Sequence, residues 1–124
     1  MYNDIRHFKS HEFDSPDEPG SGDKMNPEFL HILDKMRSEC RFPFIILSGY
    51  RTYPHNVLVG GESNSSHLRG LAADILVSGS LDRHALIKAA FNNGITRIGI
   101  GSNFVHVDID YSLPQDVIWV YKGR

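Results

Sequence analysis

Cysteine is nearly missing from this sequence. Cys40 stands alone, so no intrachain disulfide can staple the fold. At the end of a predicted helix it reads as a small, partly buried thiol. Long apolar runs are missing too: nothing approaches the roughly 18 consecutive apolar residues of a membrane-crossing helix, and no membrane insertion is expected. The opening Met1-Tyr2-Asn3-Asp4-Ile5-Arg6 lacks the apolar centre of a secretory signal. Synthesis in the cytoplasm without a signal peptide is the expectation, and work elsewhere would need another route of export. Nor is there an excess of one charge. Thirteen Lys and Arg against 15 Asp and Glu leave a formal charge of −2, which provides no basic field for nucleic acid or an anionic membrane surface. Repeats and linkers are not visible. What remains, 40% hydrophobic and 23% charged residues in a chain of 124, suits one soluble domain with a single core.

Residues 1–24 are polar, and Asp14 to Asp23 carries two prolines, two glycines and four acids. Such a run is expected to form a solvated loop rather than core, and its acids do not have the spacing of an EF-hand. Asn26-Pro27 opens a helix as cap and first-turn proline. Phe29, Leu30, Leu33 and Met36 recur at helical spacing, with Ile32 widening the face, and the helix should end near Cys40. Phe44 to Leu47 reads as a short buried strand that delivers the loop Ser48-Gly49-Tyr50-Arg51-Thr52. Tyr53 to Val59 forms a short helix, ended by Gly60-Gly61. Ser80 is expected to cap another helix with Leu81, Ala85, Leu86, Ala89 and Ala90 inward. Thr96 to Ile100 and Phe104 to Asp110 form a hairpin around Gly101-Ser102-Asn103, and Ile118 to Tyr121 is the last strand. The pattern implies an α+β fold: one domain over residues 1–124, a mostly antiparallel sheet and flanking helices. The polar segment 1–24 is expected to pack on or near the functional site.

The chemistry concentrates in Ser65-Ser66-His67-Leu68-Arg69-Gly70-Leu71-Ala72-Ala73-Asp74. Here a polar loop supplies a histidine, and a strand of small and apolar residues supplies an aspartate. An aspartate in such a strand is costly to bury unless it is paired or binds a metal. Further along, period-two alternation puts Phe104, His106, Asp108 and Asp110 on one strand face and Val105, Val107 and Ile109 on the core face. His67, Asp74 and His106 then make two imidazoles and one carboxylate. Three protein ligands with an open fourth position is the arrangement of catalytic zinc, whose bound water has its pKa lowered to about 7. Hydrogen-bonded core positions would suit the same residues, and residue types alone leave both readings open.

Ser48-Gly49-Tyr50-Arg51, then Ser65-x-His67-x-x-Gly70-x-Ala72-x-Asp74, then Phe104-Val105-His106-Val107-Asp108 resemble the zinc D-Ala-D-Ala carboxypeptidase family. The likeness is to its small single-domain branch among phage and prophage cell-wall enzymes, and it spans roughly residues 7 to 111. It implies the α+β fold shared with the hedgehog signalling domain. It also implies Zn2+ held by His67, Asp74 and His106. Arg51 would bind and polarise the substrate at the scissile bond, as a fixed cationic fork can. Ser65 would hold substrate or a ligand, or simply cap its loop. Many family members carry an acid three residues before the final ligand as general base, and here that position is Asn103. Either Asp108 then takes the base role, or the zinc-bound hydroxide acts with little help, or catalysis is impaired; Asp108 would equally serve by orienting a ligand imidazole.

The implied activity is zinc-dependent hydrolysis of a D-amino-acid-containing bond in the peptidoglycan stem peptide, by a monomer acting at the cell wall. An endolysin cutting between L-Ala and D-Glu is the alternative within the enzymes. A zinc-containing peptidoglycan-binding module without turnover is the alternative outside them. His7, His11 and His55 are expected at the surface, as further candidates to approach the site, and His31 and His84 in solvent. Tyr50 and Tyr53 are expected to pack rather than donate, and Trp119 to sit in the core rather than serve as a sugar platform.

Overall fold

The computed structural model describes residues 2–124. In chain order its main elements are α1 (Pro27–Ser38), β1 (Ile46–Ser48), α2 (Tyr53–Leu58), β2 (Ala72–Leu76), α3 (Ser80–Asn92), β3 (Arg97–Ile100), β4 (Phe104–Asp108) and β5 (Val117–Val120). The strands form one sheet in the order β1-β2-β4-β3-β5. Every neighbouring pair is antiparallel except β3 and β5, which run parallel. The fold is therefore α+β with a mostly antiparallel sheet and three α-helices, as the sequence implied.

Alternation along β4 sets which side is core. Val105 and Val107 are fully buried with Ala73 and Ile75 of β2 and Ile98 of β3, against Phe29, Leu30, Leu33 and Met36 of α1 and Leu86, Ala89 and Ala90 of α3. The opposite face carries Asp74, His106 and Asp108, all buried. α1 begins as expected: the Asn26 side chain accepts the Phe29 N–H at 3.1 Å, satisfying one of the unpaired donors of the first turn. Asp34 is buried in this helix because its carboxylate accepts the N–H groups of Arg6 and His7, at 2.9 and 2.8 Å.

Several local expectations are corrected. The segment 14–23 is exposed over Pro16, Asp17, Pro19, Gly20 and Asp23, as a loop should be, but Ser15, Ser21 and Gly22 are buried and tie it into the molecule. Asp14 accepts the N–H groups of Gly20 and Gly22, and buried Ser15 donates its own N–H to the buried Ser21 hydroxyl. These internal bonds replace the apolar contacts that its composition denies it. Phe8, before a 3-10 turn at Ser10–Phe13, and Phe13, its last residue, enter the core in edge-to-face contact. Phe13 is wholly buried, a position where truncation to alanine costs about 3–5 kcal/mol. The run from Phe44 is an edge strand buried on one face only: Phe44 enters the core and Ile46 packs on it, whereas Ile45 and Leu47, alternating with them, are 53% and 50% exposed. Leu81, the second residue of α3, is 84% exposed rather than inward. Ser80 is the first helical residue, and Gly79 precedes it without a side-chain cap.

Candidate functional site

Sheet register assembles the centre of the site. Asp74 of β2 lies directly across from His106 of β4, and directly opposed residues in an antiparallel pair project to the same face a few ångströms apart. His67 arrives from a 3-10 turn at Ser66–Arg69, which Gly70 ends in the left-handed region at φ 70°. A side chain at Gly70 would also strike the Lys24 carbonyl, so this turn admits only glycine there. Ser65 caps the turn by accepting the His67 N–H at 3.3 Å, and it lines the cleft above. Asp110 clasps the turn to the end of β4, accepting from the Ser66 hydroxyl at 2.6 Å and from Arg69.

Three donor atoms converge: His67, Asp74 and His106 each offer one within 4.8 Å of the others. Asp74 Oδ1 lies 2.9 Å from His106 Nδ1 and 3.4 Å from His67 Nε2. Each remaining ring nitrogen is already committed. His67 Nδ1 donates to the Gly49 carbonyl at 2.7 Å, and His106 Nε2 lies 2.7 Å from Asp108 Oδ2. Such outer partners fix a ring's tautomer and aim its other nitrogen, as imidazoles around a metal require. The donor set, borderline-soft nitrogen with one carboxylate oxygen, suits zinc.

Electrostatics follows from burial and pairing. Burial pushes His67 below its usual value, with Asp74 opposing, which keeps the ring neutral. Burial works against charge on His106 as well, but there Asp108 and Asp74 outweigh it and raise the pKa to about 8. Asp74 is held well below the carboxylate range: burial resists ionisation, but hydrogen bonds with both histidines win.

Arg51 closes one side of the centre. Its Nε donates to Ser48 at 2.9 Å, one Nη to Asn56 at 3.2 Å and the other to Asp74 Oδ2 at 3.4 Å. A guanidinium has five N–H groups, so about two are left for a ligand. Asp108, 1% exposed, is locked more fully. Oδ1 accepts from Arg97 Nε at 2.8 Å and the Asp110 N–H at 3.0 Å, while Oδ2 faces His106.

The cleft over these residues has a volume of about 510 Å³. Trp119 forms part of its wall, with its ring 5.4 Å from that of His106 and 5.0 Å from the Arg97 guanidinium, which corrects the expectation of a core tryptophan. Alternation on β5 explains the difference: Trp119 shares the face of Tyr121 and turns to the cleft, whereas Ile118 and Val120 are exposed, Val120 at the cleft's rim. Gly99 makes this packing possible, because a Cβ there would stand 2.7 Å from Trp119 and Tyr121.

Asn103 is exposed on the β3–β4 turn and is not a cleft residue. His7, His11 and His55 also stand outside the cleft, and His31 and His84 are exposed on helices. Tyr50 packs against the core and Tyr53 is exposed. Glu62 lines the cleft and was not singled out from sequence. Its place just after Gly60-Gly61, on the loop leading to Ser65 and His67, was the available signal.

The fold and the converging donors define a domain able to hold a metal at the foot of a cleft. A family model described as Peptidase M15 matches residues 6–108, and the chain belongs to that family. Over 56 residues it is 46% identical to the zinc D-Ala-D-Ala carboxypeptidase of Streptomyces albus G, a stretch covering 45% of this chain and 22% of that protein. The chain thus matches about a fifth of the length of this curated relative.

Proposed function

We propose that this protein is a zinc peptidase that hydrolyses a D-amino-acid-containing bond of the peptidoglycan stem peptide, in the manner of a D-Ala-D-Ala carboxypeptidase. The observation that carries the reading is the convergence of His67 Nε2, Asp74 Oδ1 and His106 Nδ1, with both far ring nitrogens tied to acceptors. Membership of a peptidase family supports a peptide substrate, and the zinc carboxypeptidase relative supports the metal and the bond.

His67, Asp74 and His106 would hold the metal. Zinc there would supply Lewis acidity to the scissile carbonyl and acidify a water. Arg51, pinned on three sides, turns its remaining N–H groups to the carbonyl oxygen and stabilises the charge that grows there. Ser65 orients the peptide from the cleft rim. Asp108 acts through His106: with both oxygens occupied by donors, it keeps the Nε2 proton in place and leaves Nδ1 free for the metal. Glu62 is the cleft carboxylate with no cation or imidazole partner among the described residues, and we assign the water's proton to it.

Elemental analysis of the native protein and digestion of a defined stem pentapeptide, read by mass spectrometry, test the proposal. Bound zinc and loss of one D-Ala are expected. Release of fragments at the L-Ala-D-Glu bond would move the activity to the endopeptidase alternative. Zinc and peptide binding without any cleavage would reduce the protein to a binding module. Metal-free native protein that leaves the peptide intact would overturn the proposal.

A further inference from the structure

One wall of the cleft is made by β5 and the residues after it, beyond the stretch that matches the peptidase family. Following Trp119 and Tyr121, Lys122 and Arg124 line the same cleft. Arg124 is held in place: its carbonyl accepts the Ser102 N–H at 2.7 Å, and its guanidinium lies 5.0 Å from the Tyr121 ring. The Tyr121 ring in turn lies 6.5 Å from that of His106, and both residues line the cleft together with Arg124.

Four cations line the cleft, and two of them are taken. Arg51 is bound by Ser48, Asn56 and Asp74, and Arg97 by Asp108 and the Pro114 carbonyl. Lys122 and Arg124 have no carboxylate partner among the described residues. Like charges brought toward one cleft favour an anionic ligand group.

Resting on the peptidase reading above, the chemistry of the stem peptide names that group. At a D-Ala-D-Ala terminus, the residue leaving with the amine carries a free α-carboxylate. At an L-Ala-D-Glu bond it also does, because the chain continues through the glutamate side chain. We propose that Arg124, supported by Lys122, receives the free α-carboxylate of the residue on the leaving-group side. The cleft then selects for a negative charge next to the scissile nitrogen, whichever bond it cuts.

The test uses zinc-loaded protein, wild type and Arg124→Gln, on two matched pairs. One is a pentapeptide ending in D-Ala as acid or as amide; the other is an L-Ala-D-Glu peptide with its α-carboxyl free or amidated. Wild type should favour the acid of the cleaved pair by about 10- to 100-fold in kcat/KM, the range of a hydrogen bond to a charged group. Arg124→Gln should treat acid and amide nearly alike, chiefly through KM, and Arg124→Lys should restore part of the preference. The pair that responds identifies which carboxylate is read. Equal cleavage of acid and amide by wild type, or full preference in Arg124→Gln, overturns the proposal while leaving the peptidase reading intact. If neither pair is cut, the peptidase reading fails, and calorimetry with N-acetyl-D-alanine and its amide decides the subsite. Acid-selective binding lost in Arg124→Gln upholds it, and equal binding overturns it.

Discussion

Replacing Asp108 with asparagine preserves shape and removes one charge, so its consequences can be worked from the contacts. Oδ1 receives two N–H donors, from Arg97 and Asp110, and Oδ2 receives one, from His106. The amide of Asp108→Asn therefore keeps its oxygen on the Arg97 side and turns its NH2 toward His106, 2.7 Å away in the parent. Two donors cannot face each other there. His106 must move its proton to Nδ1, the atom aimed at Asp74 and at the metal. Zinc affinity should fall about 10- to 100-fold, equivalent to about 1.4–2.8 kcal/mol. The fold should lose about 3 kcal/mol, the lower end for breaking a buried ion pair, because Arg97 keeps the Pro114 carbonyl at 2.5 Å and the face of Trp119. Chelator competition measures the first quantity and denaturant unfolding of the metal-free protein the second. Unchanged zinc affinity with turnover at saturating zinc down by roughly 10² to 10⁴ would refute this reasoning and make Asp108 the base.

Zinc affinity should weaken toward acid, by roughly tenfold per unit below about pH 8. The sign follows from His106, whose pKa of about 8 means that zinc must expel a proton from it at neutral pH. A dye-competition series from pH 6 to 8 that gave a flat affinity would contradict the assigned ligand. Glu62→Gln should retain zinc and lose turnover by roughly 10²-fold, the low end for a positioned base; near-parental kcat in peptide assays would remove Glu62 from the chemistry. Gly99→Ala should cost about 1–3 kcal/mol by overpacking, and should displace Trp119 from His106. Because Trp119 is the chain's one tryptophan, its fluorescence reports that displacement directly, and an unshifted spectrum with parental stability would count against the packing argument.

The elements that sequence exposed most clearly are those where one local rule acts alone. Asn26-Pro27 declares a helix start by side-chain capping, and Val105-His106-Val107-Asp108 declares its two faces by alternation. The placing of His67, Asp74 and His106 in one cluster was legible because each sits in a short motif of the family pattern. What was not legible depends on partners distant in the chain. Trp119 was expected in the core because an aromatic in an apolar run favours burial; only the parallel pairing of β5 with β3 decides which face it takes. Leu81 fits the inner stripe of α3 by spacing, yet in the first turn of the helix it is 84% exposed, and only tertiary packing decides how far along a helix the covered stripe runs. The segment 14–23 has no apolar pattern at all, and its order comes from carboxylate and hydroxyl groups bonding its own backbone. Glu62 carried no periodic or motif signal, only a neighbouring pair of glycines.

The pairing of Asp74 with His106 also makes the metal a judge of strand alignment. Side chains alternate with a period of two, so sliding β2 past β4 by one residue would bring Ala73 or Ile75 to face His106 and drive Asp74 among the aliphatic residues of the opposite side. No such misaligned sheet could gather the three donors. Zinc would therefore stabilise only the correctly aligned form, drawing a folding population toward it by mass action. On the proposed zinc site, a shortage of zinc would remove that bias and the donor cluster's function together, so metal supply would bear on the yield of the aligned fold as well as on the proposed chemistry.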